Sequence, residues 1–434
     1  MVDAAIVTAA HTPTVLSRDA LLAVAETLPI DQINVGQPLL FQQDAMWPYF
    51  ARLRREAPVH YCAASEFGPF WSITKYRHIM QIEANTEVFS SDVKYGGITL
   101  RDQALDFVLP MFIAMDPPKH DEQRAAVQPI VGPPSLARLE QLVRERAQSV
   151  LDGLPIGESF NWVERVSIEL TTQLLATLFD FPWADRYKLT RWSDVATALP
   201  GFGIVETEEQ RRAELIECLQ YFTQLWNERV NAPPRDDLIS MMAHSESTRH
   251  QGPMEYLGNI LLLIVGGNDT TRNSMTGGLY ALNKYPDEYA KLLADPGLVA
   301  NMVPEIIRWQ TPLAHMRRTA TRDYVFEGQT IRAGDKVVMW YVSGNYDEDA
   351  ITDAERLIVD RERPRRHLSF GFGLHRCVGE RLADLQLRIV WEEILKRFGR
   401  IEVVDEPQRI FSTFVKGYST LKVRIPADQV KARH

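Results

Sequence analysis

The sequence predicts a mainly α-helical protein with a smaller β-rich lobe. Apolar residues recur at helical spacing from about residue 135 to 250 and again from 256 to 285. Short strand-like runs lie instead between residues 59 and 73. We see no internal repeat and no linker-like run rich in Gly, Ser or Pro. The 434 residues are therefore predicted to form one domain, with a loose arm over residues 1–30.

The first elements lie in the β-rich lobe. A helical pattern begins at Trp47-Pro48 and ends at Glu56, because Pro58 restricts the residue before it. Two strands are then predicted, Val59–Tyr61 and Phe70–Ile73, on either side of a Gly-Pro turn.

Residues 92–110 carry no helical or strand pattern and are predicted to form a long loop, a kind of segment that is often functional. A proline pair, Pro117-Pro118, then favours a helix start. His120 and Arg124 are four residues apart and share a face of this helix. Their spacing alone fits a solvated charged face equally well.

The segment from 135 to 250 is interrupted at glycines and prolines. Residues 199–205, between two helical runs, are apolar and contain two glycines, which favours a flexible connection.

A long helix is predicted from Tyr256 to about Tyr285. It is apolar nearly all round through residues 260–265, so we expect it to be buried. Gly266-Gly267 and Asp269-Thr270 then interrupt the apolar pattern, although glycine costs roughly 1 kcal/mol in a helix interior. One explanation is a kink with threonine hydroxyls bonded to carbonyls. The other is a local opening that makes room for small molecules.

Residues 370–379 form a glycine-rich stretch around Cys377, followed at once by an amphipathic helix. Gly371, Gly373 and Gly379 indicate a bent loop, since glycine permits positive φ. A cysteine at a helix N-terminus is expected to have a lowered pKa and to suit a soft metal ion. An inert buried thiol is the alternative.

The stretch reads F-G-x-G-x-H-x-C-x-G and resembles the haem-binding signature of the cytochrome P450 monooxygenases. The resemblance implies the triangular, mainly helical fold of that family and the cofactor haem b, iron protoporphyrin IX. Cys377 would be the iron ligand, whose thiolate donates electron density toward bound oxygen. Further haem-binding residues implied by position are His120, Arg124, Arg318, Phe370, Gly371, His375 and Gly379. Arg317 is the alternative to Arg318 as a propionate partner.

The same resemblance assigns roles to Asp269 and Thr270, which match the acid–alcohol pair of the family. Thr270 would hold water, and Asp269 would deliver protons so that the O–O bond of O2 breaks heterolytically. A haem-thiolate sensor or carrier is the alternative of another class and would need neither residue. Glu305 and Arg308 match the structural E-x-x-R pair, with Arg356 as the predicted third member.

The predicted substrate is a small apolar molecule. The residues expected to line its pocket are almost wholly apolar, with no cationic anchor: Ile98, Leu100, Phe202, Leu262, Val265, Gly266, Leu313, Met316, Phe411 and Phe414. Stretches such as W-P-Y-F-x-x-L-R and G-G-N-D-T-T-R-N-S-M resemble the bacterial terminal alkane and fatty-acid hydroxylases. This implies terminal (ω) hydroxylation of medium-chain alkanes or fatty acids, and hydroxylation of a terpenoid alcohol is the alternative.

Composition limits the partners. The formal net charge of −9 disfavours nucleic acid, and the longest apolar run is far too short for a membrane span. The start of the chain is a poor match to a secretory signal, so we expect a cytoplasmic protein. Three cysteines are too few for an iron–sulfur cluster beside Cys377, and no reductase domain is recognised. Electrons are therefore expected from a 2Fe-2S ferredoxin and its NAD(P)H-dependent reductase, docking near Arg365, Arg366 and Arg376.

Overall fold

The computed structural model describes residues 16–432, and most of them are helical. The α-helices are α1 Arg18–Ala25, α2 Pro38–Gln42, α3 Trp47–Glu56, α4 Tyr76–Ala84, α5 Lys119–Val127, α6 Pro133–Asp152, α7 Glu169–Leu178, α8 Tyr187–Thr197, α9 Glu208–Val230, α10 Leu238–His244, α11 Pro253–Lys284, α12 Pro286–Ala294, α13 Val299–Gln310, α14 Tyr341–Gly344 and α15 Glu380–Arg397.

The strands are short. They are β1 Val59–Cys62, β2 Phe70–Ile73, β3 Phe89–Ser90, β4 Ser159–Asn161, β5 Met316–Ala320, β6 Tyr324–Phe326, β7 Gln329–Ile331, β8 Lys336–Met339, β9 Glu402–Val403, β10 Gln408–Arg409, β11 Tyr418–Thr420 and β12 Lys422–Arg424.

The largest sheet has five strands in the order β1-β2-β8-β5-β3. Only the β2–β8 pair is parallel, with Ser72 opposite Val338, and the other pairs are antiparallel. Strands from residues 59–90 and from residues 316–339 therefore meet in one sheet. This is the predicted β-rich lobe, and it is larger than the two strands expected from the sequence because its other strands are far away along the chain.

Helix α11 is the centre of the helical part, and it packs against α7, α8, α13 and α15. Its apolar residues, including Ile260 and Ile264, are fully buried. Burial of this area stabilises the fold, at about 25 cal/mol per Å² of apolar surface. None of the helices within residues 16–432 has the length and apolar character to cross a membrane.

The predicted loose arm is partly wrong. Residues 1–15 lie outside the described residues, but Arg18–Ala25 form α1, which buries Leu21 and Ala25. Tyr49 donates a hydrogen bond to the Leu21 carbonyl, and Arg52 donates to the carbonyls of Ala25 and Leu28. Contacts with a helix later in the chain order this segment, and local periodicity does not reveal them.

Candidate active site

One large cavity lies between α11 and the loop that precedes α15. Gly266, Gly267 and Thr270 of α11 line it on one side, and Phe370 and Cys377 line it on the other. Loop 96–111, which covers most of the loop predicted over residues 92–110, contributes further wall residues. The two motifs singled out in the sequence therefore face one another across one space.

The cysteine loop is bent as its glycines suggest. Gly371 and Gly373 have φ of 70° and 67°, which glycine adopts without strain, whereas Gly379 does not have a positive φ. The Cys377 amide donates to the Phe370 carbonyl at 2.8 Å, which fixes the cysteine against the loop. Gly379 precedes the first residue of α15, so Cys377 lies at the start of this helix, as predicted.

The expected lowering of the cysteine pKa is wrong for the protein atoms alone. The Cys377 side chain is exposed and lines the cavity, but desolvation by the surrounding protein raises the pKa of its thiol, while the Gly379 amide and the Arg124 guanidinium act in the opposite direction. Desolvation of the thiolate therefore outweighs the helix terminus. A bound metal ion reverses this balance, because a coordinating thiol is deprotonated.

Four basic side chains line the same cavity as Cys377: His120, Arg124, Arg318 and His375. The His120 and His375 rings are 4.3 Å apart between centroids. Within the described residues, His120 Nε2 and His375 Nδ1 are buried without a hydrogen-bond partner. Burial lowers the pKa of His375, and the nearby Arg318, His120 and Arg124 lower it further.

This arrangement fits haem. Buried polar atoms are normally hydrogen-bonded. Two imidazole nitrogens without a partner, beside two guanidinium groups, therefore indicate a negatively charged ligand. The two propionates of haem supply such charges, and Cys377 supplies a soft ligand for its iron. Arg317 is not part of this cluster, because it pairs with Asp102 and the Tyr95 carbonyl. The choice of Arg318 over Arg317 agrees with this placement.

Helix α11 runs without a break through its polar segment. The Thr270 hydroxyl donates to the Gly266 carbonyl at 2.7 Å, which is the back-bonding considered above. An added methyl group on Gly266 would meet no atom within 4 Å. Space beside the helix therefore comes from a missing side chain, and the local opening of the helix that we considered is not present.

Asp269 lies on a different side of α11 from Thr270 and is fully buried outside the cavity wall. Its Oδ1 accepts from Ser193 Oγ at 3.1 Å and from Arg272 Nη2 at 2.8 Å. Arg272 also reaches Asp194, whose side chain is 30% exposed. Burial raises the pKa of Asp269, and Arg272 opposes this effect. A chain of charged groups thus connects the buried carboxyl with the surface.

Eight of the ten predicted pocket residues line the cavity. These are Ile98, Leu100, Leu262, Val265, Gly266, Leu313, Met316 and Phe414. The prediction for Phe202 and Phe411 is wrong in this structure, because their rings stack on one another at 4.1 Å outside the cavity wall. Gly201 and Gly203, both at positive φ, flank Phe202, and its ring is 52% exposed.

The prediction of Arg356 as the third member of the E-x-x-R network is also wrong. Arg308 and Arg361 both bond to Glu305, with Arg361 Nε 2.8 Å from Glu305 Oε2. Arg356 contributes only its backbone carbonyl, which accepts from Arg308, and its own side chain is exposed. Arg361 lies five residues further along an irregular segment, where spacing gives no guide to which arginine turns inward.

Sequence reasoning also missed two groups of charged residues. Glu83 is buried beneath the cysteine loop, hydrogen-bonded to Tyr341 and 3.6 Å from Arg318. Arg101, Glu208 and Arg211 lie in the cavity wall. Each of these residues looks like a surface charge in its own helix or loop, and only the tertiary fold brings it to the cavity.

Comparisons with known proteins agree with this site. The cytochrome P450 family model matches residues 203–424. The structure of CYP153D17 from Sphingomonas sp. PAMC 26605 is 48% identical, has a TM-score of 0.85, and is matched over 93% of this chain and 100% of that one. Linalool 8-monooxygenase of Pseudomonas putida is 33% identical over 91% of this chain and 99% of its own length. Methyl-branched lipid omega-hydroxylase of Mycobacterium tuberculosis is 32% identical over 91% and 95% respectively.

These likenesses confirm the fold and the cofactor, haem b, that the sequence predicted. They also confirm an enzyme, so the sensor or carrier alternative loses its support. The chain belongs to the cytochrome P450 family and is one of its monooxygenases.

Proposed function

We propose that this monooxygenase hydroxylates the terminal carbon of medium-chain alkanes or fatty acids. The observation that carries the proposal is the apolar cavity that connects Cys377 and Thr270 with loop 96–111. Haem in this family supplies the activation of O2 for insertion of one oxygen atom into a C–H bond. The residues of this chain then determine which C–H bond is presented.

Terminal attack needs steric control, since a primary C–H bond is stronger than the secondary bonds beside it. Leu262, Val265 and Leu313 line the cavity with branched apolar side chains that restrict how a hydrocarbon chain lies. Each buried methylene of the substrate adds about 0.8 kcal/mol to binding. The omega-hydroxylase among the relatives supports attack at the end of a chain.

We assign proton handling to Thr270 and Asp269. Thr270 lines the cavity, so its hydroxyl is available to a bound water molecule. Arg272 stays protonated and joins Asp269 to Asp194 near the surface, so Asp269 would itself carry the proton, by turning its carboxyl between Arg272 and the cavity side of α11. Such a relay fits a carboxyl group whose pKa burial raises, because it is then protonated more readily near neutral pH.

We propose that the reaction takes place in the cytoplasm, with electrons from a 2Fe-2S ferredoxin and its NAD(P)H-dependent reductase. Arg365, Arg366 and Arg376 are exposed on the cysteine side, as docking requires. Asp384 pairs with Arg365 and Glu380 with Arg376, so the patch is partly neutralised. The positive charge that remains on the patch should attract a negatively charged partner, so the rate of reduction should fall as salt is added. A rate independent of ionic strength contradicts electrostatic docking.

A second candidate is hydroxylation of a terpenoid alcohol, which the linalool 8-monooxygenase relative favours. Reconstitution with a surrogate ferredoxin, its reductase and NADH separates the two. Octane, dodecanoic acid and a monoterpene alcohol are supplied in competition. Mainly 1-octanol or ω-hydroxydodecanoic acid supports the proposal, and mainly terpenoid products replace it with the second candidate.

A further inference from the structure

Besides Arg124, Arg318 and Asp102, three further charged side chains interrupt the apolar wall of the cavity: Arg101 of loop 96–111, and Glu208 and Arg211 of the first turn of α9. We call them the mouth cluster. Their side chains are 44%, 25% and 17% exposed, so they lie where the cavity meets solvent. Arg101 Nη2 is 3.2 Å from Glu208 Oε2, and Arg211 Nη1 is 3.1 Å from Glu208 Oε1. One carboxylate thus serves both of these guanidinium groups, and Arg212 Nε lies 3.6 Å from it as well.

The surroundings leave the mouth cluster with an excess of positive charge. Arg212 lies outside the cavity wall; it pairs with Asp106 at 2.7 Å, and its Nε is also 3.6 Å from Glu208 Oε1. Asp102 also lies in the wall, but its carboxylate forms ion pairs with Arg317 and Lys336. Two arginines therefore face the cavity with Glu208 as their shared counter-ion, which leaves one positive charge without a carboxylate.

The two arginines are held differently. Arg211 also donates to the backbone carbonyls of Val195 and Ala196, which fixes its guanidinium at the wall. Arg101 has Glu208 as its single hydrogen-bonded partner among residues 16–432, so its remaining N–H groups are available. Burial lowers the pKa of Arg211, Glu208 opposes this effect, and Arg101 lowers the pKa further.

We propose that the mouth cluster binds the carboxylate of a linear fatty acid whose chain lies in the apolar cavity, with Glu208 as an internal competitor for the same arginines. This inference rests on the proposed function and narrows its substrate class. A planar carboxylate matches the paired N–H donors of guanidinium groups. Holding the acid end at the mouth leaves the hydrocarbon end to point toward Thr270 and Cys377, which directs the chemistry to the far end of the chain.

The test compares dodecanoate with dodecan-1-ol, which has the same chain length and no charge. Dissociation constants are measured on the haem-loaded protein by the Soret shift and by calorimetry, at a pH where the acid is ionised. In Arg101→Gln we expect dodecanoate to bind about tenfold more weakly, the usual scale of a charge-assisted hydrogen bond. In Glu208→Gln we expect it to bind several-fold more tightly, because its competitor is gone. The alcohol should change less than about twofold in both variants.

Two matched controls lie outside the cavity wall, one on α8 and one on α9. Arg191→Gln removes an arginine paired with Glu214, and Glu214→Gln removes that carboxylate. Both should leave the preference for dodecanoate near that of the parent protein. Added salt should weaken the binding of dodecanoate and not that of the alcohol.

The proposal is overturned if Arg101→Gln leaves dodecanoate affinity unchanged, or if it weakens the alcohol equally. Product analysis on the parent protein tests the proposed function separately from the carboxylate site. Terminal products with an unaffected affinity in Arg101→Gln reject the carboxylate site and keep the proposed function. Subterminal products together with the predicted changes in affinity support the carboxylate site and reject the proposed terminal hydroxylation.

Discussion

At the scale of single residues, Thr270 has the most direct link to chemistry. Its hydroxyl lies in the cavity wall but is bonded to the Gly266 carbonyl. A threonine hydroxyl is one donor and two acceptors, so this bond leaves its oxygen free to accept from water. The structural bond and the proposed chemical role are therefore compatible.

Replacing Thr270 should uncouple the use of NADH from product formation. In Thr270→Ala no hydroxyl holds a water molecule beside the reacting oxygen, so we expect roughly 10²-fold less product, with NADH consumed and hydrogen peroxide released. The control is Thr276→Ala on the same helix, because Thr276 bonds to Ser167 away from the cavity. Equal coupling in Thr270→Ala and the parent contradicts the assignment.

Glu83 is predicted to make the stability of the fold depend on pH. Burial raises its pKa from 4.5 to about 7, while Arg318 and Tyr341 oppose this effect. The fold therefore favours the protonated carboxyl, and its contribution to stability is lost as the pH rises from about 4.5 through about 7. A shift of this size corresponds to roughly 3 kcal/mol as an upper bound.

Glu83→Gln should remove that dependence, because an amide does not ionise. The thermal midpoint of the variant is compared with that of the parent at equal haem loading. The difference, variant minus parent, should increase between pH 5.5 and pH 8. Arg318 loses a charged neighbour in the variant, which can shift its thermal midpoint at every pH. The two proteins are therefore compared by how steeply their thermal midpoints change with pH. A constant difference between the two proteins across this range argues against a titrating Glu83.

At the scale of elements, α11 carries two adjacent glycines with different surroundings. A methyl group on Gly266 meets nothing within 4 Å, whereas one on Gly267 lies 2.8 Å from Leu175 Cδ2. Gly266 is therefore kept without any packing constraint, in a helix where it weakens the local backbone. This is consistent with a requirement for space in the cavity.

Gly266→Ala should raise the free energy of unfolding by about 0.5–1 kcal/mol through helix propensity. Gly267→Ala gains the same propensity but must displace Leu175, at about 1–3 kcal/mol, so it should be neutral or destabilising. Thermal unfolding of the two haem-loaded variants checks this order. If Gly267→Ala is the more stable of the two variants, the packing around the two glycines does not differ in the way described.

The network of Glu305, Arg308 and Arg361 joins α13 to the irregular segment before the cysteine loop. In Arg361→Gln, the buried Glu305 keeps Arg308 as its partner but loses one charge-assisted hydrogen bond, which typically costs about 1.5–3 kcal/mol. Arg361→Gln should therefore lower the yield of haem-loaded protein. Arg356→Gln is the matched control, because its exposed side chain lies outside the network, and equal losses would contradict the reassignment.

At the scale of the whole molecule, local patterns predicted several individual elements well. The central helix was expected over 256–285 and is Pro253–Lys284, and α3 has the predicted bounds. The cysteine loop and the acid–alcohol segment were found because each is continuous in sequence. Arg361, Glu83 and the mouth cluster were missed, since their partners lie far away along the chain and no local period marks them. The single domain over residues 1–434 stays a prediction.

The central claim is that the cavity presents the end of an apolar chain to the haem. Octane tests it most directly, because all its carbons lack polar groups that could orient the molecule. The measurement is the ratio of 1-octanol to 2-octanol formed under ¹⁸O₂ by the reconstituted enzyme. We predict mainly 1-octanol with one labelled oxygen atom. Mainly 2-octanol or 3-octanol, formed with the same label, would contradict terminal presentation while leaving the monooxygenase chemistry intact.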